Sequence, residues 1–295
     1  MERGEKAYGD PGNLAKGPNV DLVICSTRVS KHLATVGPSL KAGKDVIVEW
    51  PLGKSLPDAK ELLRLKKEGG EASCRQPSIK TAPLIKKLKE LVDGESIGKV
   101  LNSSWMGQGG QQMESVTKGV EYLGIGEYRG NLITIRFGHQ IDYFQQVIKV
   151  IDFPAGQQIG TFIKDTDDTI FLVGILSNGA PISYAFRGGK PFKRVPGIDW
   201  RIYGEKGEIK ISADIPFISI FDGGIQVLVH DFETDEVIEV EIEKDGLGKL
   251  PMEARNVGRV YGAFRKGVDN CTFEDAMERV EFLDLLELEN GHIVK

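Results

Sequence analysis

Val20-Asp21-Leu22-Val23-Ile24-Cys25-Ser26 and, farther on, Asp45-Val46-Ile47-Val48-Glu49-Trp50 decide the fold. Each is a short apolar, β-branched run, the pattern of a parallel strand buried on both faces. Between them residues 30–43 read as a helix, with Ser30 as N-cap, Gly43 just past its end and Pro38 as a kink or early break. Pro51 ends the second run. A further helix is predicted from about Leu56 to Lys67, with Pro57 in its first turn and Gly69-Gly70 behind it. A weak strand near Ala72 and an amphipathic helix over Thr81 to Leu91 follow. Strand and helix alternating through such short links imply parallel strands and right-handed crossovers.

From Val100 the texture changes. Leu101–Met106, Ile159–Ile163, Thr169–Leu176, Ile182–Phe186 and Val227–His230 alternate apolar and polar residues, and turns such as Ser177-Asn178-Gly179 separate some of them. That predicts a mainly antiparallel sheet with one wetter face. Helices are predicted over Gly138 to about Ile151, Glu253 to Gly267 and Phe273 to Glu289. The fold class is therefore α/β plus α+β: an incomplete doubly wound parallel sheet over residues 1–98, then a larger α+β domain over 99–295.

The composition narrows the function classes. The 295 residues carry a net charge of −5, which gives no drive toward nucleic acid. Basic clusters such as Lys86–Lys87 sit beside acids at helical spacing and read as solvated helix faces. No apolar run reaches the ~20 residues of a membrane span, and the charged start Met1-Glu2-Arg3-Gly4-Glu5-Lys6 does not resemble a signal peptide. A cytoplasmic, reducing compartment is the expectation. Cys25, Cys74 and Cys271 lack metal-ligand spacing, and the four histidines do not cluster, so no metal is expected. Cys25, inside an apolar run, reads as a buried small hydrophobe.

Doubly wound sheets bind ligands at the carboxyl ends of their strands. Ser26, Thr27 and Arg28 after the first strand, and Glu49, Trp50 and Pro51 after the second, are the candidate cofactor residues. The phosphate-cradling turn Gly-x-Gly-x-x-Gly is absent from residues 1–95. Gly124-Ile125-Gly126-Glu127-Tyr128-Arg129-Gly130 has a related spacing but is expected to open a strand, not a helix.

A resemblance covers nearly the whole chain. Asn19 to Thr27, His32, Lys41-Ala42-Gly43-Lys44-Asp45-Val46-Ile47-Val48-Glu49-Trp50-Pro51-Leu52, Ile97-Gly98-Lys99-Val100, Gly138-His139-Gln140-Ile141-Asp142 and Ile202-Tyr203-Gly204-Glu205-Lys206-Gly207 follow one another as in the glucose–fructose oxidoreductase/inositol dehydrogenase (Gfo/Idh/MocA) family. Most members have Glu-Lys-Pro where this chain has Glu49-Trp50-Pro51. The tryptophan, with Asn131-Leu132-Ile133-Thr134-Ile135 ahead of Gly138-His139, resembles the branch with the yeast galactose-regulon co-repressor and its fungal relatives.

The resemblance implies a Rossmann-like first domain, and a chain that starts beyond the family's first strand, glycine turn, helix and second strand, on the order of 60 residues. It implies NAD or NADP as cofactor and a small hydroxylated or carbonyl substrate. It marks His139 and Asp142 as the acid/base pair, three apart on one helix face. Their other reading is structural, with Asp142 stabilising the helix start. Arg75, Gln76 and His139 are the candidate substrate contacts. Trp50 replaces the family lysine; an indole stacks on a flat ring but does not deliver a proton as an ammonium does. The Trp50-Pro51 bond is a candidate cis peptide. His32 is expected to make a structural hydrogen bond, and Trp200 to pack in the second domain's sheet.

Three readings stay open at this point: a nicotinamide-dependent oxidoreductase, a regulatory protein with a protein partner, and a cofactor-independent isomerase, lyase or cyclase that keeps the substrate pocket. A homodimer or higher oligomer is expected from the half-sheet's open edge and from the antiparallel sheet.

Overall fold

The computed structural model describes residues 6–70, 74–75, 78–109, 132–148, 150–152, 169–218, 224–268 and 271–289. The predicted strand at Ile159–Ile163, the glycines at 124–130, and Gln76 lie outside them. The chain divides into two units, Met1–Pro77 with Asp269–Asp284, and Ser78–Val268 with Leu285–Lys295. The division falls at Ser78 rather than near residue 98 because the segment from Ser78 packs on elements of the second unit.

In the first unit a short helix, α1 (Pro11–Ala15), starts at Asp10, whose carboxylate accepts from Asn13 N at 2.9 Å. Strands β1 (Leu22–Cys25), β2 (Asp45–Val48) and β3 (Cys74–Arg75) form a parallel sheet in that order. Helices α2 (His32–Lys41) and α3 (Leu56–Gly69) follow β1 and β2. Ser55 caps α3 by accepting from Asp58 N at 3.3 Å.

Three local expectations need correction. Ser30 is not the N-cap of α2: a 3-10 turn, Val29–Lys31, comes first, closed by Lys31 N donating to Arg28 O, and Ser30 lies inside it. Pro38 does not break α2, because a proline removes only one bond, the one to the exposed Ala34, and Ala42 N still reaches Pro38 O at 3.1 Å. Gly43 takes φ +69° just past the helix end, as read from the sequence. Finally, β1 is not buried on both faces. Val23 and Cys25 are covered while Ile24 is 45% exposed, since β1 is an edge strand among the described residues.

The second unit contains β4 (Val100–Gln108), β5 (Val150–Asp152), β6 (Thr169–Leu176), β7 (Pro181–Arg187), β8 (Ile198–Gly204), β9 (Gly207–Ala213), β10 (Gln226–Asp231) and β11 (Val237–Glu239). Their order is β11-β10-β9-β8-β4-β7-β6-β5, antiparallel throughout except for the β4–β7 pair. A Rossmann-like parallel sheet and a larger, mainly antiparallel sheet are thus both present. Helices α4 (Pro83–Asp93), α5 (Gly138–Val147) and α6 (Met252–Arg265) accompany them, whereas α7 (Phe273–Glu289) belongs to the first unit as far as Asp284. Lys87–Glu90 and Lys89–Asp93 pairs line α4, the solvated face its spacing predicted.

Register explains the core of this unit. Pairing places Leu172, Tyr184, Trp105, Trp200, Ile211 and Val227 in one row across six strands, all buried. Alternation sends this row to one face, and α5 covers it with Tyr143 and Phe144. Trp105 stacks on Tyr184 at 4.6 Å between centroids. A Cβ on Gly107 would stand 2.1 Å from the Trp105 ring, so the glycine makes room for the indole.

Candidate functional site

The carboxyl ends of β1 and β2 are joined by one side chain. His32 is almost fully buried at the start of α2. Its Nε2 lies 3.0 Å from Thr27 O and its Nδ1 3.0 Å from Pro51 O, so the ring spans the two strand-end turns, and in the neutral imidazole the single N–H donates to one of these carbonyls. Glu49 N adds a second tie by donating to Cys25 O at 3.0 Å. Ser26, Thr27 and Arg28 are exposed beyond them, and Cys25 Sγ contacts Thr27 Oγ1 at 3.3 Å. These exposed hydroxyls on a fixed turn fit a polyhydroxylated group such as a ribose.

Glu49 is half-buried, and that burial raises its carboxyl above the ordinary range. Trp50 is buried, and its bond to Pro51 is cis. The Arg279 guanidinium of α7 lies over the indole, 4.9 Å from the ring centroid. Arg279 is itself buried and also donates to Cys271 Sγ. Sequence reasoning missed Arg279. The signal was its spacing: it shares a helix face with Ala276 and Leu283, both buried, where a cation needs a reason.

His139 and Asp142 belong to the second unit. Asp142 is buried on α5, and its Oδ2 accepts from Ser78 Oγ at 2.7 Å and Ile79 N at 3.0 Å. It thereby holds the start of the 3-10 turn Ile79–Thr81. His139, half-buried, stands in the first turn of α5. That turn is no free helix start, because a π-helical segment, Leu132–Phe137, runs directly into it. The segment was expected to be a strand; its β-branched residues suggest one, but burial at Thr134, Phe137, Gly138 and Ile141 follows helical spacing. π-turns recur at functional sites.

A polar cluster surrounds this helix. Gln140 Nε2 donates to Pro216 O at 3.3 Å, and Gln140 Oε1 accepts from the Tyr184 hydroxyl. Burial pushes the Tyr184 and Tyr143 hydroxyls well above their ordinary range. The Trp105 indole N–H is turned toward the Tyr143 hydroxyl, yet neither atom achieves hydrogen-bond geometry. Arg136 lies over the Phe217 ring at 4.7 Å. Arg75 contributes its backbone to β3; its side chain lies outside the described residues.

The second unit also holds a cavity of about 590 Å³ lined by Pro83, Ile225, Glu241, Asp245, Arg255 and Arg259 among others. Arg259 grips Asp245 with two bonds, of 2.7 and 3.0 Å, which lowers the Asp245 carboxyl below its ordinary range. No helix of the described residues is long and apolar enough to cross a membrane. Among the described residues no group of three or more His, Cys, Asp or Glu could hold a metal ion.

Comparison with known proteins fits this arrangement. Residues 2–74 match the oxidoreductase family with NAD-binding Rossmann fold, and residues 83–153 and 148–213 match the Gal80p C-terminal domain. The galactose/lactose metabolism regulatory protein GAL80 of Kluyveromyces lactis is 29% identical over 70% of this chain and 52% of its own length. The Saccharomyces cerevisiae protein of that name is 27% identical over 70% of this chain and 54% of its own. The chain thus spans about half the length of these relatives. Dehydrogenase aclE of Aspergillus oryzae is 25% identical over 81% of this chain and 69% of its own length. A super-repressor mutant of Saccharomyces cerevisiae Gal80p superposes with TM-score 0.82 at 21% identity, over 97% of this chain and 82% of that one. An Agrobacterium radiobacter oxidoreductase, solved with NAD+, L-tartaric acid and magnesium, shares the fold with TM-score 0.74 at 17% identity, over 96% and 82%. By these matches and the two sheets above, the chain belongs to the Gfo/Idh/MocA oxidoreductase family, with a Gal80-like carboxyl-terminal domain.

Proposed function

We infer that this chain is an NAD(P)-dependent dehydrogenase-type protein that acts on a small hydroxylated or carbonyl compound. The observation that carries this reading is the carboxyl edge of the parallel sheet, where His32 fixes the exposed Ser26–Arg28 turn against Trp50-Pro51. The edge suits the nicotinamide and ribose end of a dinucleotide. A bound nicotinamide would supply hydride transfer. His139 is the group to carry the hydroxyl proton, since Asp142 already accepts two hydrogen bonds and works as a positioning residue for the Ser78–Ile79 turn. Arg75 and Gln76 are the further substrate contacts in this reading.

A second reading has its own support. Trp50 and Arg279 form a buried cation–π pair where the family's lysine stands, which favours a regulator working through a protein partner, as the name of the GAL80 relatives suggests. Titration of the 295-residue protein with NAD(H) and NADP(H) by calorimetry separates the two. Binding at micromolar cofactor, lost in a Ser26→Arg variant, supports the dehydrogenase reading. No heat at millimolar cofactor removes it and leaves the regulatory reading or a cofactor-independent enzyme.

A further inference from the structure

Arg136 stands near the end of the π segment, three residues before His139. Its guanidinium carbon lies over the Phe217 ring, 4.7 Å from the centroid, and a guanidinium held on a ring keeps its N–H edge for binding. Nη1 is buried and has no hydrogen-bond partner among the described residues. The neighbours are satisfied: Gln140 uses both ends of its amide, and Asp142 is taken up by Ser78 and Ile79. Burial lowers the guanidinium's hold on its proton, and among the described residues the interaction opposing this comes from Tyr184. A desolvated cation without a counter-charge is costly to a fold, and a fold that retains one gains when an anion completes it. The guanidinium fork matches planar or tetrahedral oxyanions, and the partial exposure that Arg136 and Phe217 keep leaves the pair reachable from solvent.

We propose that Arg136, stacked on Phe217, is an oxyanion-binding site of the second unit and takes the carboxylate or phosphate of a small ligand beside His139. The proposal deepens the small-molecule reading of this helix face but does not need its redox part. The ligand class is therefore an acid or a phosphate ester rather than a neutral polyol.

The test uses the full protein without nicotinamide and three probes on one scaffold: glycerate, glycerol 3-phosphate and neutral glycerol. Thermal shift and calorimetry are expected to show saturable binding of one of the two anions and none of glycerol. Glycerate alone binding marks a carboxylate site; glycerol 3-phosphate alone marks a phosphate site. Arg136→Gln is expected to weaken that binding about tenfold or more. A readout independent of ligand identity accompanies it: without probe, Arg136→Met and Arg136→Gln should melt no lower than the parent, because they remove an unpaired buried charge. Binding that survives in Arg136→Gln, equal response to glycerol, no response to either anion, or a large drop in ligand-free melting temperature overturns the proposal. Arg136→Lys, which keeps charge but not the fork, covers the case of a misfolded glutamine variant and should fall between the two. Anion binding without cofactor binding would leave this site standing and the dehydrogenase reading fallen; the converse would do the reverse.

Discussion

Glu49 shows what burial does to one residue. Its folded-state carboxyl is raised above the ordinary value of 4.5, with desolvation the cause. In the unfolded chain the group ionises at the ordinary value, so ionised Glu49 weighs against folding above both values. That penalty shrinks as pH falls through the raised folded value and vanishes below about pH 4. Glu49→Gln is therefore expected to raise the melting temperature at pH 7 and to leave it unchanged at pH 4. An equal effect at both pH values, followed by circular dichroism, would show that desolvation of the carboxylate is not the cause. The sequence marked Glu49 as a ligand-edge residue, but not its burial, which depends on what the fold lays beside it. Asp142 is the same lesson in reverse. Its type and spacing from His139 suggested a pair, and its carboxylate also accepts from Ser78 and Ile79, residues whose approach no local spacing encodes.

At the scale of elements, α2 and α3 meet at Gly69. A Cβ there would stand 1.8 Å from Leu40 O, a backbone atom that cannot swing aside. Gly69→Ala would gain about 1 kcal/mol of helix propensity but would force the helices apart, an overpacking cost of about 2–3 kcal/mol. The net expectation is a loss of roughly 1–2 kcal/mol, read as a lower urea midpoint with unchanged slope; a stabilised variant would mean that the helices separate freely. The sequence placed Gly69 behind a helix that it in fact ends, and gave no sign of the close approach. Most other elements were legible, because a period of two or of about 3.6 is written in consecutive residues. Thr169–Leu176 and Phe273–Glu289 lie where the pattern put them. Leu132–Phe137 was misread because its β-branched residues pull toward a strand, while packing of Phe137 onto Tyr184 holds it helical.

At the scale of the molecule, the sheet of the second unit leaves apolar side chains uncovered opposite its aromatic row. Met106 on β4 and Phe171 on β6 are exposed and flank Ala185 in register, and Ile175 lies four residues farther along the same face of β6. Exposed apolar residues gathered on one sheet face mark an interface. We expect a homodimer through this face, with light scattering giving twice the 32.5 kDa of one chain. A single-chain mass at working concentration, unchanged in Met106→Glu, would rule it out. The sequence by itself determined the two kinds of sheet, the order of elements and the family, since these rest on hydrophobic periodicity and on motifs in a fixed order. The tertiary structure alone decided that His32 bridges two turns, that Arg279 lies on Trp50, and that Arg136 has no hydrogen-bond partner at Nη1 among the described residues. The physical reason is range. Backbone periodicity is local, whereas a buried polar group's partner, or lack of one, depends on which distant segments the fold brings to it.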